Sequence, residues 1–355
     1  MRRILVSGAG GSASANFVHS LRLAEEPFYV VGIDTSPYHL ELAPVDARYL
    51  VPRADDPAYL STLNELVAAE RIDFLHAQPE GEVAFLARHR DEVQAGTFLP
   101  RTETIELCQD KARFADAVRA AGLPSPEFAH VGSEDELSAA TEQIVQTHEK
   151  AWVRAVRGAG ARASLPVTTP EQAVSWMRYW VEVKGLEPRD FMVTQFLPGR
   201  EFAFQSLWQE GRLVTSQARE RVEYLFGSLV PSGQTSTPSV ARTVRRADVN
   251  ELAITAIRAL DPKATGVFCA DLKEDEHGVP LLTEINAGRF FTTSNFFAVA
   301  GLNMPYEYVR LGLGETPAGL PERDGLEEGL YWVRMIDMGY ALVREGEWTS
   351  QEVAT

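Results

Sequence analysis

Cysteine is nearly absent from this chain. The two present, Cys108 and Cys269, lie far apart and without a CxxC or histidine companion, which argues against a disulfide framework and against a thiolate zinc site. Both read as buried small residues. Lysine is scarce as well: Lys111, Lys150, Lys184, Lys263 and Lys273 are the full set, so arginine is the expected cation wherever a site needs one. No apolar run approaches the roughly 18 residues of a membrane span, and no low-complexity tract occurs. Met1-Arg2-Arg3 opens directly into a strand pattern, without the apolar stretch and cleavage site of a secretory leader, so the cytoplasm is the expected location. The net charge is −16 and the basic residues are scattered rather than clustered. Repulsion from phosphate therefore sets nucleic acid aside as a partner, and no membrane partner is expected.

What is present describes a globular protein, with 45% hydrophobic and 24% charged residues. At 355 residues the chain exceeds what one core usually serves, so two or three subdomains are expected. Up to about residue 107, short apolar runs (RRILVSG, FYVVGID, RYLVP, DFLHAQ) alternate with helical patterns. That is the rhythm of a parallel sheet. The clearest helix is expected to start at Asp56-Pro57, carrying Tyr59, Leu60, Leu63, Leu66 and Val67 on one face. Asp110 is placed to cap a helix bearing Phe114, Ala117, Val118 and Ala121, ended by Gly122. Beyond 126 the strands are longer and adjacent, with a hairpin turn at QEGR, 209 to 212, which reads as α+β with antiparallel sheets. Residues 222 to 243 show no clear period and are expected to form a loop, a candidate substrate lid. A linker past Thr316 precedes a hairpin around Asp337 to Gly339.

SGAGGSASANF follows the first strand, and Gly8, Gly10 and Ala13 fit a loose GxGxxA dinucleotide fingerprint, with Asp34 about where a ribose-binding acid belongs. A second constellation is more informative. In ADLKEDEHGVPLLTEIN, strand alternation puts Glu284 and Asn286 on one face, and a hairpin around EDEHG lets Asp271 project onto it. Two carboxylates and an amide oxygen suit Mg²⁺, completed by substrate phosphates. Two such carboxylates are expected to raise each other's proton affinity, so that Glu284→Gln would keep or raise stability without metal.

LLTEINAGR with Asp271 thirteen positions before Glu284 resembles the metal-binding strands of the ATP-grasp superfamily, and D-alanine:D-alanine ligases share that separation. Further pieces follow in the family's order. Asp110-Lys111 with AAGLPSP is similar to the entry into the ATP-grasp core, where the lysine contacts ATP phosphate. WVRAVRGAGARAS resembles the strand and glycine-rich loop, with Gly158 and Gly160, that close over the β- and γ-phosphates. Arg154 stands where the family often has lysine; arginine occurs there in the carbamoyl phosphate synthetase large subunit and suits phosphate. TQFLPGREF resembles the hinge that holds adenine through Gln195, Phe196 and Leu197, followed by Glu201 in the ribose position. Arg289 takes the place of the arginine after E-x-N, facing the transferred phosphoryl group or the substrate carboxylate.

The resemblance implies a Rossmann-like domain over 1–108 and an ATP-grasp domain over 109–315, with a small lobe over 126–195 and a large lobe over 196–315. Residues 316–355 then form a linker and strand pair. It implies an ATP-dependent carboxylate–amine ligase acting through an acyl phosphate, with ATP and one or two Mg²⁺, Mn²⁺ being the alternative. Asp271, Glu284 and Asn286 would be the ligands, with Arg154 and Arg289 at the reacting groups. The glycine-rich turn becomes a substrate-side loop, where Gly10, Gly11 and Ser12 at a helix N-terminus suit an anionic group. Arg219 and Arg221 are candidates for gripping a substrate carboxylate. A homodimer is the prior expectation. GAGG and SGQTST also resemble the carbamoyl phosphate synthetase large subunit, which keeps carboxyphosphate chemistry as an alternative. A nicotinamide oxidoreductase and a nucleotide-binding protein without turnover are the readings of another class.

Overall fold

The structure, a computed structural model, describes residues 1–158, 163–235, 237–336 and 339–346. The first third alternates strand and helix: β1 (Arg2–Ser7), α1 (Ser12–Arg22), β2 (Phe28–Asp34), α2 (Pro37–Glu41), β3 (Ala47–Leu50), α3 (Tyr59–Glu70), β4 (Phe74–His76) and α4 (Glu80–Arg88). Ile4, Leu5, Val6, Val30, Val31 and Ile33 are all fully buried, as expected of central strands covered on both faces. The four strands form a parallel sheet in the order β3-β2-β1-β4. The chain changes direction of winding at β1, so a crevice opens at the carboxyl ends of β1 and β4. The glycine-rich turn and Gln78-Pro79 stand there. Helix α3 begins at Tyr59, later than Asp56-Pro57 suggests, because Asp56 folds back as a turn whose carboxylate accepts from Ala58 N at 2.8 Å.

Two helices, α5 (Thr102–Gln109) and α6 (Lys111–Ala120), lead to the second sheet. Asp110 caps α6 by accepting from Arg113 N at 3.1 Å. The small sheet contains β5 (Phe128–His130), β6 (Ala151–Ala155), β7 (Leu165–Val167) and β8 (Phe191–Gln195), ordered β5-β8-β6-β7, and packs against α7 (Glu134–His148) and α8 (Pro170–Lys184).

The large sheet begins with β9 (Glu201–Gln209) and β10 (Arg212–Tyr224). Glu210 (φ 48°) and Gly211 (φ 80°) form their turn, both left-handed as a two-residue hairpin of the correct twist requires. Then come β11 (Pro238–Val244), α9 (Ala247–Leu260), β12 (Gly266–Glu274), β13 (Pro280–Ala287), α10 (Asn295–Val299), α11 (Met304–Gly312), β14 (Leu330–Met335) and β15 (Gly339–Arg344). The antiparallel order is β13-β12-β9-β10-β11-β14-β15, so the last two strands extend the sheet that carries Asp271 and Glu284. Asp337 and Met338 of the expected β14–β15 turn lie outside the described residues.

The expected loop over 222–243 is a correction. Strand β10 runs on to Tyr224 and β11 starts at Pro238, leaving only 225–237 between them. Register shifts between Arg221, Glu223 and Tyr224 break the alternation, and a bulge of that kind hides a strand's period from the sequence. Among the described residues, no helix is long and apolar enough to cross a membrane.

The glycine-rich turn is held by its own fold. Asp34 accepts from Gly10 N (3.2 Å) and Ser36 N (3.1 Å), which turns its carboxylate toward the backbone and away from a ribose. A Cβ on Gly10 would lie 2.3 Å from the His39 carbonyl oxygen. Gly10→Ala should therefore lower stability by roughly 1–3 kcal/mol, read as a lower urea midpoint. An unchanged midpoint would show that the turn does not rest on α2.

Candidate active site

A cavity of about 470 Å³ lies where the three sheets meet. Of the residues singled out from the sequence, Gly11, Ser12, Lys111, Arg154, Gly158, Gln195, Phe196, Leu197, Glu201, Arg221, Asp271, Glu284, Asn286 and Arg289 all line it. Gly10 does not, being turned against His39. Arg219 is 1% exposed and does not line it; its guanidinium packs on Phe291, which does. Gly160 lies outside the described residues.

The centre of the site follows from strand register. Asp271 on β12 stands directly opposite Glu284 on β13, and Asn286 follows two residues on, facing the same side. The Asn286 amide donates to Asp271 Oδ2 and Glu284 Oε1, each at 3.3 Å. Cations arrive from four other elements. Arg221 Nη2 holds Asp271 Oδ1 at 2.5 Å, and Arg154 Nη2 holds Glu284 Oε2 at 2.9 Å. Lys111 Nζ stands 3.9 Å from Glu284 and donates to the Gly158 carbonyl at 2.7 Å. Arg289 donates to Asn286 Oδ1 and lies 3.6 Å from Glu80.

Glu201, a third and partly buried acid of the cavity, accepts from Arg221 (2.7 Å), Gln234 (2.9 Å) and the Tyr224 hydroxyl, with Lys273 Nζ at 3.7 Å. At the hinge, Gln195 N donates to the Glu127 carbonyl (2.8 Å) and Phe196 N to the Lys150 carbonyl (3.3 Å), which ties β8 to the neighbouring chain segments.

The two central carboxylates differ in proton affinity. Burial pushes Asp271 up to about 7 against the pull of Arg221, with Glu284 and Glu201 adding to the rise. For Glu284, burial also acts upward, but Lys111, Arg154 and Arg289 overcome it and hold the group down to about 2. The net shift is therefore upward only at Asp271. The expectation that Glu284→Gln preserves stability is corrected, because three cations surround that side chain.

As a donor set, Asp271, Glu284 and Asn286 offer hard oxygens suited to Mg²⁺. The amide presently turns its nitrogen to the carboxylates, so ligation through Oδ1 asks for its half-turn. Among the described residues, no group of three or more His, Cys, Asp or Glu is placed to hold a metal. This set is two carboxylates and an amide.

No protein-family model matches the sequence, and no curated protein matches it. Solved structures do. The chain is similar to the L-amino acid ligase from Bacillus licheniformis, at TM-score 0.69 and 15% identity, covering 94% of this chain and 79% of that one. It is similar to the biotin carboxylase domain of the Hydrogenobacter thermophilus 2-oxoglutarate carboxylase, solved with MgADP and bicarbonate, at TM-score 0.70 and 16% identity, covering 93% and 73%. It is also similar to the N5-carboxyaminoimidazole synthetase from Staphylococcus aureus, at TM-score 0.66 and 14% identity, covering 94% and 82%. The fold is that of the ATP-grasp enzymes.

Within this ATP-grasp fold, several lining residues escaped the sequence reading. Lys273 and Trp152 each lie two positions from a recognised residue, on Asp271 and Arg154 strands respectively, and alternation would have found them. Gln78 carried no such signal, since only the sheet order brings β4 to the cavity. Its side chain donates to the Phe290 carbonyl at 2.8 Å and accepts from Phe290 N at 3.3 Å.

The two acids should separate in thermal melts without ligands. Asp271 binds its proton more tightly folded than unfolded, so its ionisation opposes folding as pH rises from about 3.8 to about 7. The advantage of Asp271→Asn over the parent should grow across that window. Glu284 is the reverse: its stabilising effect is present above about 4.5 and lost as pH falls toward 2. Glu284→Gln should then be less stable at pH 7 by on the order of 2–4 kcal/mol. Equal pH profiles for the two variants would contradict this division.

Proposed function

We propose that this protein is an ATP-dependent carboxylate–amine ligase that releases ADP and phosphate through an acyl phosphate. The observation that carries the reading is the direct cross-strand pairing of Asp271 with Glu284, with Asn286 beside them and four cations converging, in a fold shared with solved ligases and carboxylases. Asp271, Glu284 and Asn286 would hold Mg²⁺, which when bound neutralises the β- and γ-phosphates.

The chain's own side chains do the rest. A substrate carboxylate oxygen attacks the γ-phosphorus while the bond to the β-bridging oxygen breaks. Lys111 and Arg154 leave Glu284 to face the phosphates, and Arg289 faces the transferring group. An amine then attacks the acyl carbon, expelling phosphate, and loses a proton to give the amide. No side-chain nucleophile is needed, because positioning and charge neutralisation supply the catalysis. At the hinge, Gln195 and Phe196 already spend their N–H groups on backbone carbonyls, which leaves Leu197 N–H as the adenine donor of this reading. Glu201, surrounded by four donors, would take the ribose hydroxyls. The turn at Gly11 and Ser12 would form the substrate wall.

Mg·ATP with amino acids supplied in pairs should release ADP at a rate that depends on both partners. Lys111→Ala should weaken nucleotide binding by about 10- to 100-fold, the loss of one charged hydrogen bond. ADP release stimulated by bicarbonate alone would move the reading to carboxyphosphate chemistry. ATP binding without ADP release under any pairing would leave a non-catalytic nucleotide-binding protein.

A further inference from the structure

Among the described residues Arg219 forms no ion pair with a carboxylate, and neighbouring Arg334, which donates to the Pro238 carbonyl, has none either. Arg219 is 1% exposed, and neither its Nε nor its Nη2 has a hydrogen-bond partner. Nη1 meets only the Thr293 carbonyl, at 3.5 Å. The guanidinium lies between two phenyl rings, 4.9 Å from the centroid of Phe291 and 5.3 Å from that of Phe297. Ring faces attract a cation, but they leave the in-plane N–H groups unmatched. An arginine stays charged at neutral pH, and a buried charge without a counter-ion is among the costlier things a fold can keep.

Its position links it to the reacting centre. Arg219 on β10 pairs with Ala203 on β9, Ala203 with Asp271 on β12, and Asp271 with Glu284 on β13. All four belong to one row across the sheet, on one face, with Arg219 two strand spacings, roughly 10 Å, from Asp271 at the backbone. The residue between is alanine, whose methyl group reserves little of the space above it. Phe291 both packs on the Arg219 guanidinium and lines the cavity, so it links the two. The adjoining Thr293 and Ser294 hydroxyls are also buried without partners.

We propose that Arg219 receives the carboxylate of an organic acid with an apolar body, which reaches it when the Phe291 ring turns aside and packs along Phe290 and Phe291. The site rests on the ligase reading, as the acid-substrate end of the same cavity. It selects an acid whose hydrocarbon portion lies against aromatic rings.

The test is calorimetric titration of propionate, and separately of inorganic phosphate, into nucleotide-free parent, Arg219→Met and Arg219→Lys proteins, with Mg·ATP melting shifts recorded in parallel. The parent should bind propionate in preference to phosphate. Arg219→Met should bind it at least tenfold more weakly, and Arg219→Lys at least threefold more weakly, with the Mg·ATP shift kept in both. Should the Met variant fail to fold, the Lys variant decides. The proposal is overturned if propionate affinity does not change in the variants, if the parent binds neither probe, or if phosphate is the anion that depends on Arg219. Propionate binding through Arg219 in a parent without any Mg·ATP shift supports this site while refuting the ligase reading. A Mg·ATP shift with Arg219-independent propionate affinity refutes the site alone.

Discussion

The structure depends on keeping two carboxylates, Asp271 and Glu284, opposite one another in the wall of a cavity. Like charges so placed cannot both ionise cheaply in a medium of low dielectric. The fold answers by aiming cations from separate elements at the pair: Arg221 from β10, Arg154 from β6, Lys111 from the first turn of α6, and Arg289 from the segment after β13. The answer is uneven. Three of the four cations act on Glu284 and hold it ionised, while Asp271 relies on Arg221 alone, which is shared with Glu201. A divalent cation would even this out, freeing the arginines and Lys111 for phosphate.

The segment after β4 and helix α1 support this centre by hydrogen bonds to one loop. Gln78 grips both backbone groups of Phe290, and Asn16 donates to the Thr292 carbonyl at 2.7 Å. These contacts fix the strand exit that carries Arg289, and they set Phe290 and Phe291 as the cavity's aromatic wall. The glycine-rich turn sits at the same crevice with its backbone tied to Asp34. Its resemblance to a dinucleotide fingerprint therefore reflects the demands of a tight strand-to-helix turn, with Gly10 in contact with α2.

Much of the fold was legible because local rules decided it. The parallel rhythm of the first hundred residues, the Asp110 cap, the left-handed turn at Glu210-Gly211 and the hairpin joining β12 to β13 all follow from neighbours in the chain. Where a local rule was disturbed, the reading failed. The shifted register between Arg221 and Tyr224 made β10 and β11 look like a loop, and Asp56 formed a turn where a helix cap was expected.

The sequence by itself determined which residues could meet across one hairpin, so Asp271, Glu284 and Asn286 were readable as a set from strand alternation together with the turn at EDEHG. Only the tertiary structure decided their charge states and neighbours. Arg221, Arg154 and Lys111 are separated from Glu284 by 63 to 173 positions, and the proton affinity of a buried carboxylate is set by whatever charge the fold brings within a few ångströms. The same holds for Arg219. Its sequence position two residues before Arg221 suggests an equal partner at the cavity, but Phe291 and Phe297, arriving from beyond β13, enclose Arg219 while Arg221 lines the cavity.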